Sequence, residues 1–186
     1  MLDHFDLLAP IYDRLIKLPL DSEFNRILKL PTDGRILDAG GGTGRVSERF
    51  KTLARDVVVC DFSLPMLKQA LKKGKLLSVR GSVDKLPFPD GSFDRILVVD
   101  ALHHFKKPLA AVGELVRVLK PGGRLVIEDF DISRFVVKLI AWAETLALMG
   151  SHFFTPDQIG KMIADHGLTP AIVRNGKASF WVVADK

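Results

Sequence analysis

The fold of this chain is decided by the stretch Ile36-Leu37-Asp38-Ala39-Gly40-Gly41-Gly42-Thr43-Gly44-Arg45. Its apolar start is typical of the end of a buried strand, and the glycines form a loop directly after it. Glycine has no Cβ, so this backbone can adopt positive φ and can let a ligand approach closely. The stretch therefore predicts a strand, a ligand-binding loop and then a helix.

The residues around the glycines narrow the kind of ligand. The dinucleotide fingerprint Gly-x-Gly-x-x-Gly fails when counted from Gly40, because its sixth position is Arg45. It also fails from Gly42, whose sixth position is Ser47. Asp38 would repel a pyrophosphate, whereas a cationic ligand group would be attracted to it. The pattern thus argues against an NAD-dependent oxidoreductase, which stays an alternative.

The spacing that fits is Asp-x-Gly-x-Gly-x-Gly, given by Asp38, Gly40, Gly42 and Gly44. It resembles the first motif of class I S-adenosylmethionine (SAM)-dependent methyltransferases, whose cofactor carries an ammonium and a sulfonium and no phosphate. Further stretches are similar to the small-molecule, ubiquinone/menaquinone-biosynthesis type of this family; they are residues 5–13, 81–94 and 117–123. The resemblance implies SAM as the cofactor and S-adenosylhomocysteine as its product.

The order of apolar runs predicts an α/β fold. Five strands that alternate with helices, followed by a hairpin, indicate a doubly wound Rossmann-like, mostly parallel sheet with helices on both faces. After the opening stretch, strands are predicted at 56–61, 76–79, 93–99 and 124–128, and a hairpin at 169–174 and 178–184. The resemblance implies seven strands in the order 3-2-1-4-5-7-6, the last one antiparallel.

Helical patterns fill the segments between the strands. A helix should follow the glycine loop and point its positive dipole end at the ligand, since apolar residues recur there at helical spacing. They are Val46, Phe50 and Leu53. Pro108 opens a later helix, and Thr155 with Gln158 forms a capping box for the last one.

The length of 186 residues predicts a single domain over 1–186. Residues 1–33 contain no strand pattern and predict two short helices, the second capped by Asp21. Residues 131–154 predict a short helical cap, at the place where the family inserts its substrate cap. In the relatives the N-terminal segment folds over the cofactor, which implies a cofactor contact for Tyr12. Alternatively, Tyr12 only packs this segment onto the core.

Asp61 ends the second strand and follows Gly40 by 21 residues. An acid roughly 20 residues after the first glycine commonly bonds the ribose hydroxyls in nucleotide-binding βαβ units. Asp61 could instead cap the next helix, but Ser63 is better placed for that, with Pro65 just inside the helix. We therefore predict that Asp61 binds a ribose.

The resemblance extends this cofactor site. It implies that the glycine loop and Asp38 hold the methionine part, and that Phe62 and Met66 pack on the adenine. Ser82 replaces the family's usual acid at the adenine amino group; its hydroxyl can still accept that bond, whereas Asp84 need not face the same way. The complete predicted cofactor set is Tyr12, Asp38, Gly40, Gly41, Gly42, Gly44, Asp61, Phe62, Ser63, Met66, Ser82, Val83 and Asp100.

The catalytic candidates are Asp100, His103 and His104, directly after the fourth strand, where parallel sheets place their chemistry. A base is needed only for an acceptor that must lose a proton, such as a hydroxyl or an acidic carbon. Because the two histidines are adjacent, at most one is expected to face the pocket, and each could be an exposed loop residue. Asp100 is expected to contact the cofactor's ammonium or the acceptor.

Several kinds of acceptor are disfavoured. No Asn/Asp-Pro-Pro-Tyr follows the fourth strand, which argues against amide and adenine N-methyltransferases. Cys60 lies in a buried strand, which argues against cysteine-dependent methylation of a pyrimidine. What remains is a small-molecule acceptor, methylated at carbon, oxygen or nitrogen. The alternatives are a SAM-binding sensor or partner subunit without turnover, and an RNA-directed methyltransferase.

Composition bounds the setting in which the protein acts. The formal charge of +5 favours an anionic partner, but the lysines stand in short groups without aromatics, as on solvated helix faces, so nucleic-acid binding is not expected. The single cysteine and the lack of a secretory signal predict a cytoplasmic protein without a cysteine-rich zinc site, and no metal is expected. Residues 135–149 are too short and too charged for a membrane span. A monomer or homodimer is expected.

Overall fold

The computed structural model describes residues 6, 8–15, 23–134, 137–138, 151–175 and 179–186. The strands in these residues are β1 (Arg35–Ala39), β2 (Asp56–Asp61), β3 (Leu77–Arg80), β4 (Phe93–Val99), β5 (Leu119–Phe130), β6 (Thr169–Asn175) and β7 (Ser179–Asp185). The helices are α1 (Tyr12–Leu15), α2 (Glu23–Ile27), α3 (Leu64–Lys72), α4 (Pro108–Val118) and α5 (Pro156–Ala164). Two 3₁₀ helices span Ser47–Phe50 and Leu102–His104.

These strands form one sheet in the order β3-β2-β1-β4-β5-β7-β6, which confirms the predicted order. The first five strands of that row are parallel, and β7 runs antiparallel to both of its neighbours. The carboxyl ends of β1, β2, β4 and β5 therefore meet along one edge of the sheet. Ligands of doubly wound folds bind at this edge.

Both faces of the sheet are buried, as the continuous apolar strands predicted. On one face, Leu37 and Ile96 belong to the same core as Leu115 of α4 and Ile159 of α5. On the opposite face, apolar residues of α2, α3 and the first 3₁₀ helix cover the alternate strand residues. The predicted arrangement of helices on both faces is confirmed.

The short helix α2 is held to the sheet by an aromatic contact. Phe24 of α2 and Trp181 of β7 are buried, and their ring centroids lie 5.6 Å apart with a tilt of 56°. Such a pair adds about 1 kcal/mol to the stabilisation from apolar burial. In the described part of residues 1–33, the helices α1 and α2 are short, and residues 6 and 8 are also helical; Asp21, the predicted cap, lies outside the described residues.

The helix after the glycine loop is of a different type from the one predicted. The chain forms a 3₁₀ helix there, in which Arg49 N–H donates to Val46 O at 3.1 Å. The segment then turns back toward the start of β1, where Thr32 N–H donates to Leu53 O at 2.8 Å. These bonds end the helix early. Val46 and Phe50 are nevertheless buried as predicted. A helix this short has little dipole to offer a ligand.

Strand boundaries differ in how well the sequence predicts them. β2 and β4 match their predicted bounds, and β3 begins and ends one residue later than predicted. β5 is longer than the predicted 124–128 at both ends: Leu119 pairs with Phe93 of β4, and β7 pairs with the other end as far as Phe130, opposite Ser179. This extension brings Asp129 into the sheet.

The C-terminal helix follows its predicted capping box. Thr155 N–H donates to Gln158 Oε1 at 2.8 Å, and Gln158 N–H donates to Thr155 Oγ1 at 3.3 Å. The predicted hairpin is confirmed by the pairing of Asn175 with Ser179, while its turn, 176–178, lies outside the described residues. Of the predicted cap at 131–154, residues 135–136 and 139–150 also lie outside them.

Candidate functional site

The glycine loop connects β1 to the first 3₁₀ helix through three residues with positive φ. Gly40, Gly42 and Gly44 have φ of +73°, +53° and +68°. A Cβ on Gly40 would lie 3.0 Å from Ala101, and one on Gly44 would lie 2.8 Å from Leu76, so these two positions pack against the protein. A Cβ on Gly42 would meet its nearest heavy atom only at 3.9 Å. Gly42 is therefore the part of the loop that a ligand can approach.

Gly41 and Asp38 fit against each other below the loop. A Cβ on Gly41 would lie 2.5 Å from Asp38 Cγ, which excludes any side chain at this position. Asp38 is 1% exposed, and its Oδ2 accepts a hydrogen bond from Ser47 Oγ at 2.6 Å. Burial raises the pKa of Asp38 to about 6, and the nearby Arg45 opposes that rise. The site thus keeps a costly buried acid beneath the glycines.

Asp61 binds the glycine loop to the end of β2. Its Oδ2 accepts the backbone N–H of Gly42 at 2.8 Å, and its Oδ1 accepts that of Ser63 at 2.8 Å. Burial raises the pKa of Asp61, and these backbone donors oppose the rise. A carboxylate has about four acceptor positions, so two remain for ligand hydroxyls. Ser63 caps α3 through Met66 N–H, as predicted.

The predicted adenine residues lie in contrasting environments. Phe62 is 68% exposed, and Arg80 lies over its ring at 5.5 Å. Met66 is buried, with its sulfur facing the open side of Gly42. The Phe62 ring is therefore free on the surface beside the loop, whereas Met66 forms part of the wall.

The loop after β3 differs from the family pattern at Ser82, whose side chain is hydrogen-bonded to Asp84. The exposed hydroxyl of Ser82 donates to Asp84 Oδ1, so these two side chains face each other. This bond lowers the pKa of Asp84. Val83 is buried in the core beside Leu86. The loop thus presents an acid two residues later than the family places it, coupled to the serine.

The N-terminal segment reaches the same loop. Asp13 of α1 accepts hydrogen bonds from Thr43 Oγ1 and Lys73 Nζ, each at 2.5 Å. Tyr12 is half-buried, its pKa is raised mainly by burial, and the Arg45 guanidinium lies 5.9 Å from its ring centroid. The structure therefore brings Tyr12 to the predicted site, next to Arg45.

Asp100 follows β4 in a backbone conformation that is unusual for a residue with a side chain. Its φ is +49°, and its N–H donates to Glu128 O at 3.2 Å. Its Oδ2 accepts from Arg45 Nη2 at 3.1 Å. Burial raises the pKa of Asp100, and Arg45 opposes the rise. Asp100 thus lines the edge of the sheet, as predicted, in an ion pair that the sequence did not reveal.

His103 is buried, and Asp129 contacts both its ring and its backbone. The Nδ1 atom of His103 lies 2.6 Å from Asp129 Oδ1, and the backbone N–H of His103 donates to Asp129 Oδ2 at 3.2 Å. The Phe153 ring stacks on the imidazole, with centroids 4.4 Å apart and a tilt of 12°. His103 is therefore not the exposed loop residue that the sequence left open.

The rings of the two histidines lie close together. Their centroids are 4.0 Å apart with a tilt of 52°, and both residues belong to the 3₁₀ helix Leu102–His104. His104 Nδ1 also lies 3.1 Å from Ser151 Oγ. That at most one histidine faces the site stays a prediction.

Sequence reasoning missed Asp129 and Arg45. Asp129 is the second-last residue of β5, and acids near the ends of parallel strands were the signal used for Asp38 and Asp61; the predicted strand stopped at residue 128, so the signal was not applied to Asp129. Arg45 belongs to the glycine-loop stretch, but its position was used only to exclude the dinucleotide fingerprint. Its pairing with Asp100, 55 residues away, has no local signal.

Other surfaces carry less chemistry. Two open clefts, lined by 31–33 with 52–55 and by 51, 55–57 and 75–77, adjoin the opposite, amino-terminal ends of the strands. In the part of the chain that the structure describes, every helix falls short of the length and apolar character needed to cross a membrane. That same part contains no group of three or more His, Cys, Asp or Glu side chains arranged to hold a metal ion.

Comparison with known proteins places this site in a family. Residues 37–127 match the methyltransferase domain family. The chain is 35% identical over 139 residues to a demethylmenaquinone methyltransferase of Renibacterium salmoninarum, covering 70% of this chain and 59% of the relative. It is 39% identical over 142 residues to the protein of that name from Thermus thermophilus, covering 68% and 64%. The chain thus spans about three-fifths of the length of these relatives.

Solved structures agree in fold. A SAM-dependent methyltransferase of Thermotoga maritima has a TM-score of 0.80 at 21% identity, covering 97% of both chains. One from Aquifex aeolicus has a TM-score of 0.74 at 21% identity, covering 97% of this chain and 96% of the other. The match over residues 37–127 and the similarity to these curated relatives show that this part of the chain belongs to the methyltransferase domain family.

Proposed function

We propose that this chain is a SAM-dependent methyltransferase that transfers a methyl group to carbon, oxygen or nitrogen of a small-molecule acceptor. One observation carries the proposal: Asp61 at the end of β2 accepts the N–H of Gly42, the open glycine of the loop. An acid held in this way is suited to bind a ribose beside a loop that other ligand atoms can approach. Membership in the methyltransferase domain family makes SAM the ligand of choice.

The residues present suit SAM chemically. Asp38, Asp61 and Asp100 supply negative charge for a ligand with two cationic groups, and Gly42 leaves room for close approach. We assign Asp61 to the ribose, and Asp38 with the glycine loop to the methionine end. The remaining proposed contacts are Tyr12, Phe62, Ser63, Met66, Ser82 and Val83. When bound, SAM supplies a methyl group that is already activated on a positively charged sulfur.

The chain's main task is to hold the acceptor in line with that methyl group. For an acceptor that must lose a proton, we assign the base to His103. Asp129 accepts the Nδ1–H of His103, which leaves Nε2 as the basic nitrogen of this tautomer. The stacked Phe153 ring holds the imidazole plane. His103 Nε2 would then take the proton that the acceptor loses, while the acceptor atom would form its bond to the methyl carbon and the carbon–sulfur bond would break, leaving S-adenosylhomocysteine.

Asp100 and His104 complete the proposed catalytic surface. The ion pair with Arg45 fixes the Asp100 carboxylate at the edge of the sheet, where it can contact the ligand's ammonium or the acceptor. The His104 ring lies against His103 and is bonded to Ser151. We therefore assign His104 to positioning His103 rather than to proton transfer.

A hydroxylated aromatic ring suits this arrangement. The curated relatives are named for demethylmenaquinone, and we extend that class of acceptor, a reduced quinone, to this chain. Its hydroxyl is weakly acidic, so a buried histidine oriented by a carboxylate can deprotonate it and make the ring nucleophilic.

The single domain over 1–186, the cytoplasmic location and the monomeric or homodimeric state stay predictions from the sequence.

Thermal unfolding with SAM, S-adenosylhomocysteine and NAD tests the cofactor. We expect the first two to raise the melting temperature and NAD to leave it unchanged. Stabilisation by NAD alone would contradict the proposal.

Transfer of a labelled methyl group to a panel of quinols, phenols, amines and RNA tests turnover and acceptor class. We expect incorporation into quinols or phenols. Labelling of RNA alone would favour an RNA-directed enzyme, and SAM binding without any labelling would favour a sensor or partner subunit.

A further inference from the structure

Arg45 is a largely buried cation in the middle of the candidate site. Its side chain is 12% exposed and directly follows the glycine loop. Its Nη2 donates to Asp100 Oδ2 at 3.1 Å, and its guanidinium lies 5.9 Å from the Tyr12 ring centroid. Arg45 therefore touches the N-terminal helix and the end of β4 while belonging to the glycine loop itself.

The second terminal nitrogen of Arg45 has an unused donor. Nη1 is buried and has no hydrogen-bond partner among the described residues. Leaving a buried charged donor unsatisfied is costly, and folded proteins rarely tolerate it without a reason. A guanidinium presents its N–H groups as a planar fork that matches a carboxylate. Nη1 is thus suited to an acceptor that this part of the chain does not supply.

The charges around Arg45 narrow that acceptor. Asp38, Asp61 and Asp100 surround the glycine loop and favour cationic or hydroxyl groups of a ligand. The methionine end of SAM also carries a carboxylate, which these acids would repel unless a cation stood beside it. Lys73 is the other nearby cation, but it already binds Asp13 at 2.5 Å. Arg45 is therefore the better partner for this carboxylate.

We propose that Arg45 Nη1 binds the α-carboxylate of the cofactor, while Nη2 stays on Asp100. The inference rests on the proposed SAM function. It makes Arg45 a specificity residue, because the site would then distinguish SAM and S-adenosylhomocysteine from adenosine thioethers that lack the carboxylate. The Asp100 ion pair holds the guanidinium in place before the ligand arrives, and the side chains that cover Nη1 in this structure must move for the carboxylate to reach it.

Calorimetry with three ligands and three proteins tests this role. The ligands are S-adenosylhomocysteine, its decarboxylated form and 5′-methylthioadenosine, which lacks both the carboxylate and the ammonium. The proteins are the wild type, Arg45→Gln and Arg55→Gln. Arg55 is a matched control, because its side chain is 60% exposed and lies beside the start of β2, at the opposite end of the strands.

We expect the wild type to bind S-adenosylhomocysteine about 10- to 100-fold more tightly than its decarboxylated form, as one charge-assisted contact would give. Arg45→Gln should lose affinity for S-adenosylhomocysteine by that factor and keep its affinity for the decarboxylated form. Arg55→Gln should match the wild type with all three ligands.

The inference fails if Arg45→Gln weakens the two S-adenosylhomocysteine forms equally, or if the wild type does not distinguish them. A wild type that binds none of the three ligands rejects the SAM function itself, which separates the two failures. Should Arg45→Gln not fold, Arg45→Lys keeps the charge without the fork. It should show a smaller loss confined to the carboxylate-bearing ligand, and an equal loss for both forms would overturn the inference.

Discussion

On the glycine-loop side of the candidate site, a carboxylate binds backbone within one βαβ unit, whereas on the β4–β5 side the side chains bind each other across the fold. Asp61 accepts from Ser63, two residues on, and from Gly42, 19 residues back. His103 meets Asp129 across 26 residues, and His104 meets Ser151 across 47.

This difference indicates which residues of the site are constrained and which can be substituted. Backbone donors are the same whatever the residue, so the glycine-loop side depends on a few glycines and acids. Contacts between side chains depend on the identity of both partners, so the β4–β5 side can change with single substitutions. The first arrangement suits a fixed cofactor, and the second suits recognition of one particular acceptor.

The largest effect is expected from His103→Asn, which breaks only the β4–β5 side. Loss of a positioned base should lower kcat for a phenolic or quinol acceptor by about 100- to 10,000-fold. SAM affinity should change little, because the Asp129 and Phe153 contacts of His103 lie on the β4–β5 side. Initial rates and calorimetry on the same sample measure both. The base assignment would fall if an amine acceptor lost rate to the same extent, since it needs no deprotonation of this kind.

Asp61→Ala disrupts the glycine-loop side of the site. It removes the proposed ribose acceptor, and we expect SAM affinity to fall by about 100-fold, as for lost charge-assisted bonds. It also leaves the N–H groups of Gly42 and Ser63 without this acceptor, so the free energy of unfolding should fall by about 1–3 kcal/mol. Asp56→Ala, at the far end of β2, is the matched control. Unchanged SAM affinity by calorimetry would refute the ribose role.

Asp38→Asn separates the stability of the glycine loop from its function. Burial raises the pKa of Asp38 from 3.8 to about 6, so the folded state binds this proton more tightly than the unfolded state. The contribution of Asp38 to stability is therefore greatest below pH 4 and is lost as pH rises to about 6, a change of about 3 kcal/mol. At pH 7.5 the neutral asparagine should be about 1–3 kcal/mol more stable than the ligand-free wild type, and it should bind SAM less tightly.

Urea unfolding at pH 5 and pH 7.5 measures this effect. The stability difference between wild type and Asp38→Asn should be smaller at pH 5, where Asp38 is largely protonated. A variant that is less stable than the wild type at pH 7.5 would show that the ionised carboxylate stabilises the empty loop.

The smallest effect is expected from Thr155→Ala. Thr155 directly follows the segment that carries Ser151 and Phe153. Loss of the cap on α5 should cost about 1 kcal/mol of unfolding free energy. SAM affinity should stay at the wild-type value, since Thr155 has no contact with the glycine loop. A large loss of SAM affinity would mean that the two sides of the site are coupled, contrary to the comparison drawn above.

The same division governs what the sequence predicts. The glycine loop, Asp61, the bounds of β2 and β4 and the Thr155 capping box follow from residues close in sequence. The length of β5, the clamp on His103 and the Arg45–Asp100 pair depend on distant partners that a local pattern does not contain. The helix predicted after the glycine loop failed for a related reason, because the hydrogen bond from Thr32 to Leu53 that follows it joins residues far apart in sequence.

The packing of Trp181 on Phe24 also gives the protein an optical reporter. The indole is fully buried, and its N–H has no hydrogen-bond partner among the described residues, so its fluorescence should lie far to the blue. The sequence contains one other tryptophan, Trp142, and a Trp142→Phe variant would leave Trp181 as the sole indole. A red shift of its emission would then record the moment when α2 leaves the sheet, whether or not any methyl group is transferred.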